Sequence, residues 1–395
     1  MTQEIINDDG LVRKSMDDMF RFEAYLPSDN VQNHASNIMP LDNGDLLCTW
    51  FSGTQEGMSD ISIYLSRLET GSNVWSKPKK VSEDPFRSEQ NPVLFPTPEG
   101  ELWLFWTSQD AGNQDSAVVK RRISGDNGKT WGPVEIFIEK PGTFVRQPVT
   151  VLDNGDWLLP VFYCVNIPGR KWVGDRDYSS VLISSDQGKT WNEIVVPEST
   201  GCVHMNILKL SDKSLAAFFR SRWADTIYIS RSYDNGQSWD KPVSTGLPNN
   251  KSSIKAVVLK NGHLALVFNN MNADECSERR TSLYDDIGGS ESETEETHKE
   301  KIIDDGETRT AFWGAPRAPL SIAISEDNGK TWSHIKDLET GDGYCMTNNS
   351  KDSVNREYSY PSIKQTDDGR LHITYTYYRQ KIKYVCIDEK WIFNS

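Results

Sequence analysis

Six side chains recur at one place in this sequence: His34, Asn91, Arg146, His204, Ser253 and Tyr360 each stand nine or ten residues before a polar turn. A second group follows those turns at a similar remove: Arg220 and Arg222 in one stretch, and Arg379 after Tyr377-Tyr378 in another. Glu56 and Asp60 lie just past Ser52-Gly53, and Arg317 precedes a later apolar segment. Brought together, these residue types have a definite chemistry. Paired guanidiniums grip a planar carboxylate through bidentate, charge-assisted bonds. A tyrosine suits attack on an anomeric carbon that bears a carboxylate, because an anionic carboxylate nucleophile would be repelled there. The tyrosine needs a base, a role open to a neutral His204. Arginines beside a channel can also serve only to pair acids and to bond backbone carbonyls.

The elements that would position these groups are repeats. Ser124-Gly-Asp-Asn-Gly-Lys-Thr-Trp131 returns as Ser184-Ser-Asp-Gln-Gly-Lys-Thr-Trp191, Ser232-Tyr-Asp-Asn-Gly-Gln-Ser-Trp239 and Ser325-Glu-Asp-Asn-Gly-Lys-Thr-Trp332, with a worn copy from Ser66 to Trp75. Asp and Asn cap a tight turn, Gly supplies a positive φ and Trp returns to the core. Each copy follows an alternating strand such as Leu320-Ser-Ile-Ala-Ile-Ser325, so each closes a β-hairpin. A second turn interleaves with the first, with landmarks at Gly44, Gly100, Gly155, Lys213, Gly262 and Gly369, in steps of 56, 55, 58, 49 and 107 residues. Two hairpins per step make a four-stranded sheet, and the whole predicts an all-β, six-bladed β-propeller as one domain over residues 1–395. The N-terminal residues or the stretch from Lys383 to Phe393 would complete the last blade.

The final long step contains residues 272–312, mostly polar and acidic at 291–300, which predict a solvated insertion in blade five. The alternative is a seventh blade, with Ile302-Ile-Asp-Asp-Gly306 as its turn. In either arrangement the Asp-Gly-Trp turns share one face with the first-to-second-strand turns. The polar side chains gather at the opposite mouth of the channel.

Composition narrows the partners. A net charge of −14 argues against a nucleic-acid surface, and no apolar run approaches the ~20 residues that span a bilayer. Six scattered cysteines without a CxxC pair and six histidines without HxxxH spacing call for no disulfide framework, metal or other cofactor. With no export signal visible near Met1, the expected compartment is the cytoplasm.

The repeated turns resemble the Asp-boxes of the sialidase (neuraminidase) superfamily, from about residue 30 to 390. Asn33-His-Ala-Ser36, Trp50-Phe-Ser-Gly-Thr-Gln-Glu-Gly57, Glu357-Tyr-Ser-Tyr-Pro-Ser362 and Thr374-Tyr-Thr-Tyr-Tyr-Arg-Gln-Lys-Ile-Lys383 are similar to a sialidase-like branch of it. The resemblance implies a propeller acting on a carbohydrate. It places the tyrosine nucleophile at Tyr360, the second and third carboxylate-binding arginines at Arg220 and Arg317, and the acid/base at Glu56 or Asp60. It departs at two positions: the first arginine is replaced by His34-Ala-Ser, and the glutamate that activates tyrosine falls at His204. Asn91, Arg146, Arg222, Tyr358 and Arg379 complete the expected substrate contacts. The implied activity is an exo-glycosidase removing a terminal acidic sugar. A lyase acting on a uronic-acid-containing glycan and a non-catalytic glycan-binding propeller are the alternatives.

Overall fold

The computed structural model describes residues 7–16, 18–167, 171–274, 276–280, 283–284 and 309–393. They form six antiparallel sheets around a central channel, the arrangement of a six-bladed β-propeller. Blade one pairs Gln32–Pro40, Leu46–Gly53, Ser62–Leu68 and Lys79–Lys80 in sequence order. Blade two uses Arg87–Pro96, Leu102–Asp110, Asn113–Ser124 and Glu135–Ile138. Blade three opens with two fragments, Thr143–Phe144 and Thr150–Val151, followed by Trp157–Tyr163, Tyr178–Ser184 and Asn192–Val195. Blade four has Cys202–Lys209, Leu215–Ser221, Thr226–Ser232 and Val243–Pro248; blade five has Lys255–Val258, Leu264–Asn269, Leu320–Ser325 and His334–Glu339.

Blade six explains how the ring closes. Tyr358–Gln365, Leu371–Tyr377 and Lys381–Ile387 are its first three strands, and Phe22–Tyr25 from the other end of the chain is the fourth, carrying Arg13–Lys14 on its edge. Both candidate segments therefore contribute, one as the third strand and one as the fourth. Arg21 fastens the seam: Nη1 donates to the Leu338 carbonyl at 2.6 Å and Nη2 to Glu339 at 2.7 Å, while Lys383 reaches the same carboxylate at 2.7 Å. The only helix among the described residues is Glu389–Phe393, and none is long and apolar enough to cross a membrane.

Each sheet is covered on both faces by its neighbours, which is why second strands such as Leu46–Gly53 are buried at every residue and run apolar rather than alternating. The core is accordingly a ring of wedges between blades. Leu47, Phe51 and Ile63 meet Leu94, Leu104 and Trp106 between blades one and two; Ala265, Leu320 and Ile322 meet Ile363, Ile373 and Tyr375 between blades five and six. The Asp-Gly-Trp turns pin these wedges. In each of the four good copies the serine hydroxyl accepts the glycine N–H at 2.8–2.9 Å and the aspartate accepts the N–H four residues on. Gly188 and Gly236 have left-handed φ values of 80° and 84°, and a Cβ there would lie 2.7 Å from Trp103 and Leu158 of the preceding blade.

The described residues form no seventh sheet. Asn269 pairs directly with Leu320, so the long step is an insertion between the second and third strands of blade five. Its acidic part, 291–300, and the 302–306 turn lie outside the described residues. Its described parts are mixed: Asp274, Ser277, Glu278, Arg279, Arg309 and Thr310 are exposed, as the polar composition predicts, but a few residues are not. Leu283, Tyr284, Ala311 and Trp313 are buried, and three of them join Phe144, Phe162, Trp172 and Val203 in a cluster over the channel mouth. A few apolar residues within a polar run suffice to anchor it, because blade three presents Phe144, Phe162 and Trp172 to receive them, with Val203 from blade four.

Candidate active site

The site begins with a backbone irregularity. In blades one, two, four and six the first strand slips register against the second, between His34 and Asn37, Gln90 and Val93, Val203 and Asn206, and Ser359 and Ser362. One residue in each bulge takes a left-handed φ: Ala35 at 60°, Asn91 at 51°, His204 at 57° and Tyr360 at 53°. Non-glycine residues adopt this conformation at a cost and concentrate at functional positions. In blade one the bulge residue is therefore Ala35, and His34 belongs one position earlier than the shared spacing suggested. Arg146 occupies the break in blade three, and Ser253 precedes the first strand of blade five.

Tyr360 stands at the centre. Its hydroxyl accepts a 2.7 Å hydrogen bond from Arg220 Nη1. The Cζ atoms of Arg146, Arg220 and Arg317 lie 5.3, 5.6 and 5.6 Å from its ring centroid. Burial alone would push the phenol's pKa up, but Arg220 and Arg317 outweigh it and leave it lowered. Arg146 is a positioning residue: its guanidinium donates to the carbonyls of Ala35, Ser36 and Tyr360 at 3.0–3.3 Å, tying the bulges of blades one and six together. Desolvation lowers the pKa of Arg146 and of Arg220 to about 10, so both remain charged at neutral pH.

Glu357 is the member that the sequence reading missed. It lies fully buried at the start of the same segment as Tyr360, accepts from Arg317 Nη1 at 3.1 Å and from Ser359 at 2.7 Å, and has Arg379 Nε at 3.1 Å. Burial raises its carboxyl, yet Arg317 and Arg379 hold it below the usual carboxylate range. Arg379 also donates Nη1 to Glu56 at 2.6 Å. A buried glutamate three residues before the tyrosine, within a stretch already singled out by resemblance, was the available signal.

Both histidines are neutral. Desolvation, reinforced by Arg379, Arg317, Arg146 and Arg220 around His34 and by Arg220, Arg146, Arg222 and Arg317 around His204, drives their pKa values far down. His204 sets Nδ1 against Ser253 at 3.0 Å and meets the Tyr360 ring edge-on at 5.7 Å. His34 sets Nδ1 against Thr376 at 2.8 Å, with its ring 4.2 Å from that of Tyr360.

The fold brings Glu56, Asn91, His204, Arg220, Arg222, Arg317, Tyr360 and Arg379 to one cavity, joined by Gln114, Phe144, Phe162, Leu283 and Trp313. Arg222 pairs with buried Asp177 at 2.6 Å. Five buried guanidiniums, those of Arg146, Arg220, Arg222, Arg317 and Arg379, thus face three buried carboxylates, Glu56, Asp177 and Glu357, which leaves an excess of positive charge. Four expected members do not line it: His34 and Arg146 pack against the Tyr360 ring, and two stand elsewhere. Asp60 is exposed and accepts from the Thr54 N–H and hydroxyl, both at 2.9 Å, so it ties its own loop together. Tyr358 packs between blades five and six, with its hydroxyl donated to the Thr340 carbonyl at 3.2 Å, because strand alternation turns it away from the channel. The cavity is narrow, about 10 Å³, with the buried side chains of Leu283 and Trp313 among its walls.

Bulged first strands, Asp-Gly-Trp turns and an arginine-ringed tyrosine at the channel mouth define a sialidase-like propeller. The sequence matches the BNR repeat-like domain over residues 44–373, and the chain belongs to that family within the sialidase-like Asp-box superfamily. No curated protein matches it in sequence. Among solved structures, it is similar to the Hadza microbial sialidase Hz136, at 15% identity and a TM-score of 0.65, over 91% of this chain and 66% of that one, just under two thirds of its length. It is also similar to a protein of unknown function from Dyadobacter fermentans, at 16% identity and a TM-score of 0.67, over 95% and 99% of the two chains. The NanB sialidase from Streptococcus pneumoniae aligns at 12% identity and a TM-score of 0.66, over 98% and 71%.

Proposed function

We propose that the protein is a sialidase-like exo-glycosidase that hydrolyses a terminal acidic sugar. The observation that carries this reading is the short Arg220–Tyr360 bond inside a buried site with surplus positive charge. In this reading Arg220, Arg317 and Arg379 receive the sugar carboxylate, Arg379 standing in for the guanidinium that the His34 position lacks. Tyr360, reacting as a phenolate whose charge Arg220 and Arg317 offset so that the sugar carboxylate does not repel it, bonds to the anomeric carbon while the glycosidic bond breaks and the leaving oxygen takes the proton of Glu56. Water then bonds to that carbon, its proton passes to Glu56, and the phenolate of Tyr360 departs.

The phenolate route leaves His204 without a proton to accept, in keeping with its suppressed basicity. The same suppression removes His204 as the base that elimination would require for the α-proton. The names of the Hz136 and NanB neighbours add support for a carbohydrate ligand. A panel of chromogenic glycosides of uronic and sialic acids tests the proposal, with release of the chromophore by the native protein and its loss in Tyr360→Phe as the expected result. Release of an unsaturated product absorbing in the ultraviolet would instead indicate a lyase. Tight binding of an intact acidic oligosaccharide without cleavage would indicate a binding protein.

A further inference from the structure

Blade two brings Asn91 and Gln114 to the cavity wall, with Gln90 and Gln109 fully buried next to them, and none of the three glutamines has a role in the chemistry above. Gln109 and Gln114 each donate an amide N–H to the hydroxyl of Tyr284, at 2.8 and 3.3 Å. Around them, the carbonyl oxygens of Gln90, Gln109 and Asn91 are buried with no hydrogen-bond partner among the described residues. All four amides are at most 6% exposed. Buried acceptors left unmatched are costly, and a cluster of them beside a ligand cavity marks a place where donors belong.

We propose that Gln90, Asn91, Gln109 and Gln114 form a subsite for a hydroxyl-bearing substituent of the sugar, and that the phenol of Tyr284 fills it when no sugar is bound. The choice of class follows from hydrogen-bond capacity. A carboxylate or sulfate only accepts, and would leave the orphaned carbonyls unmatched. A hydroxyl accepts from the amide N–H groups and also donates to a carbonyl, and a pair of adjacent hydroxyls does so twice.

The cavities around Tyr284 agree. Next to the narrow space at Tyr360, which Tyr284 itself does not line, is a cavity of about 370 Å³ lined by Asn113, Asp115, Asn166, Trp172 and Tyr284. Gln114 and Leu283 line both. Sugar-sized pockets run from about 300 Å³ upwards, so the space at Tyr360 becomes large enough only if Leu283 and Tyr284 move aside and join the two. Trp172 then offers an apolar face beside the amides.

This inference rests on the reading of the site as a carbohydrate site, and the test separates the two. Full-length protein is titrated calorimetrically with glucuronic acid, N-acetylneuraminic acid and the methyl ester of each, which keeps the hydroxyls and removes the charge. Removing the internal occupant in Tyr284→Ala should strengthen binding of acids and esters alike by about tenfold, the equivalent of one or two neutral hydrogen bonds. Adding Gln109→Leu and Gln114→Leu should abolish the gain. Tyr284→Phe, which keeps the ring in its aromatic cluster, should give a smaller gain and serves if the alanine variant does not fold. Affinities unchanged within twofold in both Tyr284 variants, or no binding of any probe to any variant, overturn the subsite. A gain in which acids and esters bind equally well keeps the subsite and overturns the acidic-sugar reading.

Discussion

The hydroxyl of Tyr360 and Nη1 of Arg220 lie 2.7 Å apart, although 140 residues separate them along the chain. The bond joins blade four to blade six across the channel and couples the proposed nucleophile to the proposed carboxylate clamp. In Tyr360→Phe the ring keeps its contacts with His34 and the three arginines while the oxygen is lost. Turnover of a cleaved acidic glycoside should fall at least about 100-fold, with the dissociation constant for that glycoside changed by less than about fivefold. Single-turnover assays beside equilibrium titration check this. Equal losses in both would mean that the hydroxyl serves binding alone.

Glu357 is the counter-charge for two buried arginines, so its removal should act on stability before chemistry. Glu357→Gln keeps the shape but leaves Arg317 and Arg379 with less compensation, at a cost of about 3–5 kcal/mol. Urea denaturation should show a correspondingly lower midpoint. A midpoint unchanged within error would mean that Glu56 alone neutralises the pair.

The serine of each Asp-Gly-Trp turn should matter equally wherever it occurs. Ser124, Ser184, Ser232 and Ser325 are buried and make the same bonds to glycine and aspartate. Replacing any one by alanine should cost about 1–2 kcal/mol and leave glycan affinity unaltered, because these turns lie on the face away from the cavity. Chemical denaturation of the four single variants, with one titration each, decides it.

His372 gives stability a pH dependence. Burial lowers its pKa from 6.5 to about 4, with Nδ1 on Tyr384 at 2.8 Å and Nε2 on Thr366 at 2.9 Å. The unfolded chain takes up the proton first as pH falls. The contribution of His372 is therefore complete above pH 6.5 and is lost between about 6.5 and 4, amounting to about 2 kcal/mol between pH 7 and 5. His34 and His204, also held neutral, add in the same direction. His372→Gln should show a flatter stability profile over that interval; an identical slope would assign the loss to the channel histidines alone.

Much of the architecture was legible because the turn chemistry repeats: each Ser-x-Asp-x-Gly-x-Thr/Ser-Trp run announces a hairpin, and steps of 49–58 residues announce blades of similar size. The convergence of Arg220, Arg317 and Tyr360 was expected from ring topology and the resemblance, since first-strand entries, second-strand exits and the loops leading into third strands gather at one mouth of the channel. What remained hidden depends on single residues. The bulge that makes Ala35, rather than His34, the irregular position in blade one leaves no mark in residue type. Asp60 and Tyr358 were misplaced because a loop carboxylate can turn back on its own backbone, and because neighbouring strand residues face opposite ways. The burial of Leu283, Tyr284 and Trp313 within a polar insertion was invisible because an average over the segment masks a few anchoring side chains.

The seam in blade six has a consequence for how the protein is made. Phe22 pairs with Cys386, so Phe22–Tyr25 can join blade six only after Lys381–Ile387 has been synthesised, and until then its inner edge has no partner strand. Until then the nascent chain exposes unpaired backbone at both ends of a growing arc, and contacts this remote in sequence are slow to form. Biosynthesis thus leaves a window in which intermolecular strand exchange competes with sealing, and a bulky fusion ahead of Arg13 would prolong it.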